Sequence, residues 1–202
     1  MTIPNQLTIT RIILTPIFAI SFLIDDRTIN QFSLFIFLIA ALTDWYDGWL
    51  ARKYNYISEL GKFLDPLADK ILTSVAFLCF VAVGILEMWM VVLIVIRDLL
   101  TTLLRIYCEY KNRTLFTSYL AKVKTAIQMI FLYYLLVFYI GLERNLFGFE
   151  NKKELINIFL NKSLIYYAML FITLITVYTG LTYIYTNRFT IQELFNWKKM
   201  KT

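Results

Sequence analysis

Six apolar stretches divide this chain of 202 residues and constrain its fold more than any other feature. A helix needs roughly 20 mostly apolar residues to cross a bilayer; the first stretch is shorter, but Leu7–Arg11 can extend it. Of all residues 59% are hydrophobic and 17% charged, whereas soluble domains average roughly 45–50% and about 25%. We therefore predict an all-α, polytopic membrane protein, a six-transmembrane-helix bundle in a single domain over residues 1–202. The predicted spans are Ile12–Ile24, Phe32–Ala51, Phe63–Gly84, Met88–Tyr107, Tyr119–Ile140 and Leu164–Tyr185.

Two segments outside the spans carry expectations of their own. Residues 2–8 are predicted to form a short N-terminal interfacial helix that lies on the membrane surface. The first apolar stretch has neither a basic region before it nor a small-residue cleavage site after it, so a cleaved signal peptide is not expected. The polar, asparagine-rich residues Leu142–Lys162 are expected to form a loop between the last two spans.

Lysines and arginines fix the expected orientation, because they concentrate on the cytoplasmic side of membrane proteins. With the N-terminus inside, twelve of them fall in cytoplasmic segments and five in outside segments. Both termini and the loop after the second span are therefore expected on the cytoplasmic side of the cell (inner) membrane. These flanking cations account for the net charge of +6, so nucleic acid is not an expected partner.

The residue types available to the chain narrow its chemistry. The sequence contains no histidine, which excludes histidine metal ligands and a histidine general base. Cys79 and Cys108 lie within apolar stretches and have no partner at metal-ligand spacing, so we interpret them as packing residues. Carboxylates, lysine, tyrosine and cysteine remain as candidates for proton transfer.

Four aspartates lie where the second span ends and the third begins: Asp44, Asp47, Asp65 and Asp69. An aspartate at the centre of a membrane helix costs roughly 2.5–3.5 kcal/mol, so such a group requires compensation. Spacings of three and four residues put each pair on one helical face, and a short loop between the helices lets the two faces meet. An oxygen-only site of this kind suits two hard divalent cations, Mg²⁺ or Mn²⁺.

Two other interpretations of these aspartates stay open at the level of the residues. One is a structural ion-pair cluster between the two helices. The other is a cation channel or transporter, although its acids are expected near the midplane or on paired discontinuous helices. An enzyme is favoured because the acids lie at one end of one helix pair, beside Gly48, Ala51 and Arg52.

The aspartates belong to a longer pattern. Residues 44–69 read D-x2-D-G-x2-A-R-x8-G-x3-D-x3-D, with fixed positions at Asp44, Asp47, Gly48, Ala51, Arg52, Gly61, Asp65 and Asp69. This core motif resembles the complete signature of the CDP-alcohol phosphatidyltransferase family. The resemblance implies one membrane domain of six helices, a homodimer and a site that faces the cytoplasm. It also implies an enzyme that transfers a phosphatidyl group from CDP-diacylglycerol to an alcohol.

The resemblance also implies roles for individual residues. Two divalent cations would be held by four residues, Asp44, Asp47, Asp65 and Asp69. The cytidine diphosphate group would contact five, Asp44, Gly48, Ala51, Arg52 and Asp65. Asp69 would also be the general base, which agrees with the chemistry, because an alcohol is a poor nucleophile and no histidine is available. Without the motif, Arg52 by itself would better suit an arginine that snorkels to the interface.

Further stretches resemble one branch of the family, the bacterial phosphatidylglycerophosphate synthases. They are Ile3–Thr8 with Arg11, Leu64–Lys70, Arg97-Asp98 with Arg105, and Lys122–Gln128. With the core motif they cover roughly residues 3–130, and the remainder reads as generic span and tail. The branch commonly has Glu where this chain has Asp98, and Gly where it has Ala121. The resemblance implies phospholipid biosynthesis with glycerol 3-phosphate as acceptor, giving phosphatidylglycerophosphate and CMP.

A phosphorylated acceptor needs cations near the aspartates, and the candidates are Arg97, Arg105, Lys122 and Lys124. The two arginines are eight residues apart, so they lie within about 80° of each other on the fourth span. Alternatively, Arg97 pairs with a neighbouring acid, and the two lysines only anchor the fifth span at the headgroups. Inositol phosphate, serine and phosphatidylglycerol also stay open as acceptors.

Overall fold

The fold is all-helical in the computed structural model, as the apolar stretches predicted. The structure describes the backbone of residues 3–54, 59–111, 113, 115–143, 146 and 152–192, and the side chains of residues 6–43, 64–111, 113, 115–142, 146 and 154–192. Within these ranges there is no strand. The helices are α1 Ile3–Leu23, α2 Arg27–Tyr54, α3 Glu59–Ala82, α4 Met88–Tyr110, α5 Tyr119–Phe138, α6 Lys152–Phe159 and α7 Lys162–Thr186, and a π-helical turn, Tyr139–Glu143, continues α5.

The helices follow the predicted spans with two differences. At the N-terminus, α1 is one continuous helix from Ile3, so the expected short interfacial helix is not a separate element. Pro4 lies in its first turn. Proline has no backbone N–H, and the N–H groups of the first turn have no acceptor within the helix, so a proline is tolerated there. The second difference is α6, which occupies part of the expected loop. Phe159 at its end stacks on Phe138 with ring centroids 4.5 Å apart, which fastens α6 to α5.

Local signals in the sequence explain several helix ends. Ser118 caps α5 by accepting a hydrogen bond from the Ala121 amide at 3.3 Å. Asn161 caps α7 by accepting from the amides of the two residues that follow Lys162, at 3.0 and 3.3 Å. Gly84 adopts a φ of +77° in the turn after α3, a left-handed conformation that glycine adopts without steric cost. These caps and turns keep the helices at the lengths that the apolar stretches predict.

The bundle is apolar towards one end and polar towards the other. α1 packs against α2 and α3, α3 packs against α4, and α7 packs against α4 and α5. An aromatic core joins the end of α1 to the ends of α3 and α5, where the Phe22 ring lies 5.2 Å from Phe80 and 5.4 Å from Tyr139. The charged residues of α3, α4 and α5 lie away from this core, at the opposite end.

The outer surface of the bundle is rich in large apolar side chains. On α1, Ile13 and Ile20 are 55% and 61% exposed, and on α7 Phe171 and Leu181 are 58% and 65% exposed. Exposed apolar surface on this scale is typical of a protein that contacts lipid or a partner. Among the residues that the structure describes, three stretches are long and apolar enough to cross a membrane: Gln6–Leu23, Tyr119–Leu142 and Glu154–Thr186. These features indicate a membrane protein, and the count of six spans stays a prediction.

Candidate active site

The polar end of the bundle contains an open cavity of about 700 Å³. Helices that alternate in direction bring the starts of α3 and α5 to the same end as the final turns of α4 and α7. Each of these four helices contributes side chains to the wall. The charged or phenolic groups that face the cavity are Asp69, Lys70, Arg97, Arg105, Glu109, Lys122 and Tyr183.

Asp65 and Asp69 form the acidic side of this end of the bundle. They lie one turn apart on α3, so they share a helical face as their spacing predicted. The Thr8 hydroxyl on α1 donates a hydrogen bond to an Asp65 carboxylate oxygen, and Lys70 lies 3.4 Å from Asp69. Two acids of the predicted site therefore share one face of α3: Asp65 is bonded to α1, and Asp69 lies at the cavity wall.

The other half of the predicted motif lies on α2. The backbone of α2 is helical to Tyr54, so these residues occupy the final turns of a helix. Their side chains lie outside the described residues, and the convergence of all four aspartates stays a prediction. The residues concerned are Asp44, Asp47, Gly48, Ala51 and Arg52, and the surroundings of Gly61 on α3 likewise lie outside the described part.

The donor set fits a hard divalent cation. Asp65 and Asp69 offer carboxylate oxygens, the donors that Mg²⁺ and Mn²⁺ prefer. A carboxylate that accepts one hydrogen bond keeps lone pairs for a cation, so the bond from Thr8 leaves Asp65 able to bind a metal. Three or more candidate ligands do not come together within the described ranges. A complete site would need the α2 aspartates, whose side chains lie outside those ranges.

Three of the four predicted acceptor-site cations line the cavity wall, together with Asp69. They are Arg97, Arg105 and Lys122. Arg105 donates to the Thr117 hydroxyl at 2.9 Å, which directs its guanidinium towards the loop before α5. Among the described residues, the cavity wall thus carries four cationic side chains and the carboxylates of Asp69 and Glu109, a set that suits a small dianionic ligand with a hydroxyl group.

Lys124 occupies a different environment from the other three cations. Its side chain is 1% exposed, and its ammonium donates to Asp98 at 2.6 Å. Lys122 and Lys124 are two residues apart, so their directions differ by about 200° around α5. With that spacing, Lys122 faces the cavity and Lys124 faces the interior of the bundle. The prediction grouped the two lysines because they are close in sequence.

Asp98 joins α4 to α5 and holds Arg97 in place. One oxygen of Asp98 accepts from both Lys124, at 2.6 Å, and Arg97, at 3.0 Å. The alternative interpretation, in which Arg97 pairs with a neighbouring acid, therefore describes its contact correctly, while Arg97 also lines the cavity. A buried acid that accepts from two cations fixes the positions of both side chains.

α7 supports the arginine from the other side. Arg97 donates to the Thr179 hydroxyl at 3.2 Å. A Cβ atom added to Gly180 would lie 2.9 Å from the Arg97 Cγ, closer than two such atoms can approach. A glycine at this position therefore lets the arginine side chain pass directly against the α7 backbone.

The end of α7 also holds the loop that borders the cavity. The Asn187 side-chain oxygen Oδ1 accepts from the Phe116 backbone amide at 2.9 Å, and the Asn187 Nδ2 donates to the Phe116 backbone carbonyl at 3.1 Å. Leu115 and Thr117, on either side of Phe116, line the cavity. Asn187 thus fixes the loop at the cavity's edge by pairing with both polar groups of one peptide residue.

Several buried residues of this site were given no role by sequence reasoning, and all of them except the glycine are polar. Thr179, Tyr183 and Asn187, on α7 and at its C-cap, follow a four-residue repeat, which puts them on one face. The available signal was this repeat of polar residues within a predicted span. The sequence analysis overlooked it because it treated the chain after about residue 130 as generic span and tail. The missed residues are Thr8, Asp98, Thr179, Gly180, Tyr183 and Asn187.

Comparisons with known proteins agree with the motif. Residues 1–186 match the CDP-alcohol phosphatidyltransferase family, which extends the similarity from residues 3–130 through α7. A Bacillus subtilis protein is 39% identical over 140 residues, covering 63% of this chain and 72% of that protein. A Wigglesworthia glossinidia brevipalpis protein is 37% identical over 141 residues, covering 67% and 77%. One from Rickettsia felis is 35% identical over 127 residues, covering 63% and 70%. All three are named CDP-diacylglycerol–glycerol-3-phosphate 3-phosphatidyltransferase.

Proposed function

The chain belongs to the CDP-alcohol phosphatidyltransferase family, and from that premise we propose that it transfers the phosphatidyl group of CDP-diacylglycerol to glycerol 3-phosphate. It is a transferase, and the proposed products are phosphatidylglycerophosphate and CMP. The observation that carries the choice of acceptor is the cavity in which Arg97, Arg105 and Lys122 face the same space as Asp69. Similar proteins that carry the name of this reaction support the same choice.

The cavity suggests how the acceptor is oriented. Its phosphate lies among the cations contributed by α4 and α5, and its primary hydroxyl points towards Asp69 on α3. Serine offers these cations a single carboxylate charge, whereas a phosphate monoester offers up to two negative charges and three oxygens, so a phosphorylated acceptor suits the cavity better. Inositol phosphate and phosphatidylglycerol both satisfy the cations and stay as alternative acceptors.

The transfer itself is a displacement at phosphorus. Asp69 takes the proton of the acceptor hydroxyl as the new oxygen–phosphorus bond forms to the phosphorus that carries the diacylglycerol. The bond from that phosphorus to the oxygen shared with the cytidine phosphate breaks, and CMP leaves with the bonding electron pair. The part of the sequence that the structure describes contains no serine or cysteine beside a base at the cavity wall, so a direct displacement is proposed rather than a covalent intermediate.

Two divalent cations, Mg²⁺ or Mn²⁺, are proposed to bind four carboxylates. Such ions supply positive charge to the diphosphate and to the leaving CMP. Asp65 and Asp69 stand on one face of α3, and Asp44 and Asp47 of α2 would complete the set. Gly48, Ala51 and Arg52 are proposed to contact the cytidine diphosphate, small residues for close approach and the arginine for a forked contact with phosphate.

The same premise extends to the membrane arrangement. At 1.5 Å per residue, the 28, 24 and 23 residues of α2, α3 and α4 span about 42, 36 and 35 Å, against roughly 30 Å of hydrocarbon. These three helices are less apolar than α1, α5 and α7 because they carry the charged residues of the site. They are nevertheless long enough to cross the membrane. We propose six spans in one domain, in the inner membrane, with the cavity and both termini on the cytoplasmic side. A homodimer is proposed from the family resemblance.

An acceptor screen tests this function directly. Purified protein in nanodiscs with CDP-diacylglycerol and Mg²⁺ should release CMP when glycerol 3-phosphate is added. EDTA should stop the release, and excess Mg²⁺ should restore it. Asp69→Asn serves as the control without a base and should release none. Parallel reactions contain inositol phosphate, serine or phosphatidylglycerol; release with one of these but not with glycerol 3-phosphate would show that the proposed acceptor is wrong.

A further inference from the structure

Tyr183 carries a buried hydroxyl group that the proposed reaction has not used. The side chain lies near the end of α7 and is 6% exposed, yet it forms part of the cavity wall. Its hydroxyl finds no hydrogen-bond partner within the part of the chain that the structure describes. A buried hydroxyl without a partner costs free energy. A ligand in the cavity that accepted a hydrogen bond from Tyr183 would remove that cost.

The surroundings of this hydroxyl indicate which ligand it suits. Arg97 and Arg105 line the same cavity, and the Arg105 guanidinium lies beside the Tyr183 hydroxyl. Each arginine already has its own protein contact, Arg97 with Asp98 and Thr179, and Arg105 with Thr117. The Nε atom of Arg97 is also buried without a partner among the described residues. Two hydrogen-bond donors, from α4 and α7, are thus unused beside one cavity.

We propose that Tyr183 determines acceptor specificity by donating its hydroxyl proton in a hydrogen bond to the phosphate of a phosphomonoester acceptor. The phosphate would be held by Arg97 and Arg105 on α4 and by Tyr183 on α7. This inference rests on the proposed function and assigns a substrate-binding role to α7, which lies outside the core motif. A neutral alcohol provides no oxygen anion for these donors, so the three groups together favour a phosphorylated acceptor over an unphosphorylated one.

The test compares Tyr183→Phe with Tyr178→Phe on the same helix. Tyr178 is 58% exposed on the outer surface, so its hydroxyl is far from the predicted phosphate and its loss is a matched control. With CDP-diacylglycerol saturating, Tyr183→Phe should raise the KM for glycerol 3-phosphate about tenfold or more, because a hydrogen bond to a charged group is lost. The KM for CDP-diacylglycerol and the kcat should change less than about twofold, and Tyr178→Phe should match the wild type.

A stability measurement separates specificity from a structural role. Because the hydroxyl has no partner in the described part of the chain, its removal should leave Tm unchanged or raise it. A lower Tm together with a lower kcat and higher KM values for both substrates would overturn the inference, as would an acceptor KM within about twofold of the wild type. In either case, CMP release by the wild-type protein with glycerol 3-phosphate would leave the proposed function intact. No release by the wild type would reject the proposed function itself.

Discussion

At the scale of single residues, the site depends on buried charges that hold other charges in position. Asp98 is 3% exposed and binds two cations through one oxygen. Of those cations, Lys124 is enclosed in the bundle, while Arg97 reaches the cavity. We therefore expect Asp98 to be a positioning residue, which affects acceptor binding through Arg97 and stability through Lys124.

Asp98→Asn should reduce both stability and acceptor binding. Breaking a buried ion pair by removing one partner typically costs about 3–5 kcal/mol, because the other charge stays buried without a counter-ion. We therefore expect a clear drop in Tm, measured by thermal unfolding in detergent, and a higher KM for glycerol 3-phosphate. The double variant Asp98→Asn with Lys124→Met removes both charges and should recover much of the stability.

The acceptor KM of that double variant should stay high, since Arg97 would still lack its carboxylate partner. Full recovery of the KM by the double variant would contradict the positioning role of Asp98. An equal loss of Tm in the single and double variants would instead show that the buried ion pair is not what stabilises this part of the bundle.

At the scale of helices, α7 is both a membrane-facing helix and a wall of the site. Thr179, Tyr183 and Asn187 follow at four-residue steps along its inner face, with Gly180 beside them. Thr179 contacts Arg97, Tyr183 faces the cavity, and Asn187 fixes the loop before α5. The outer face of the same helix carries exposed Phe171. One helix thus divides lipid from the polar cavity.

Gly180→Ala should impair acceptor binding through Arg97. The new Cβ would lie 2.9 Å from the Arg97 Cγ, so the arginine must shift away from Thr179 and Asp98. We expect the KM for glycerol 3-phosphate to rise several-fold, with little change in the KM for CDP-diacylglycerol, as measured by CMP release.

Gly84→Ala is the control for a general effect of replacing glycine in this bundle. A Cβ there meets nothing within 4 Å, but the φ of +77° is unfavourable for alanine, so the variant should lose about 1 kcal/mol of stability. Its acceptor KM should match the wild type. Equal KM changes at positions 84 and 180 would argue against a specific contact between α7 and Arg97.

At the scale of the whole molecule, the bundle separates an aromatic end from a charged end. Phe22, Phe80 and Tyr139 fill one end with closely packed rings, while Asp69 and Arg97 belong to the other. This division follows the cost of charge in a membrane, which falls towards the interface. It also means that the orientation of the molecule decides which side of the membrane supplies the acceptor.

Cysteine labelling should reveal the orientation. In a background with Cys79→Ala and Cys108→Ala, Lys122→Cys and Lys162→Cys place single thiols at opposite ends of the bundle, near the starts of α5 and α7. A membrane-impermeant maleimide added to spheroplasts should label position 162 and leave position 122 unlabelled. Inside-out vesicles should give the reverse pattern. Labelling of position 122 from outside would contradict a cytoplasmic cavity.

The sequence alone determined the long helices, although not α6, and the acidic face of α3. Apolar length and helical periodicity are local properties, so Met88 and Tyr119 were predicted correctly as helix starts, and a four-residue step placed Asp65 and Asp69 on one face. The core motif likewise identified the family without any knowledge of packing, because its spacing is contained in 26 consecutive residues, 44–69.

Only the tertiary structure decided which side chains meet across the bundle. Thr8 reaches Asp65 over 57 residues, Lys124 reaches Asp98 over 26, and Arg97 reaches Thr179 over 82. Hydrogen bonds within each helix fix its periodicity but leave open its rotation against its neighbours, which depends on side-chain packing summed over many contacts between helices. For that reason the spacing of residues could propose Lys124 as an acceptor ligand, while the packed bundle makes it the partner of Asp98.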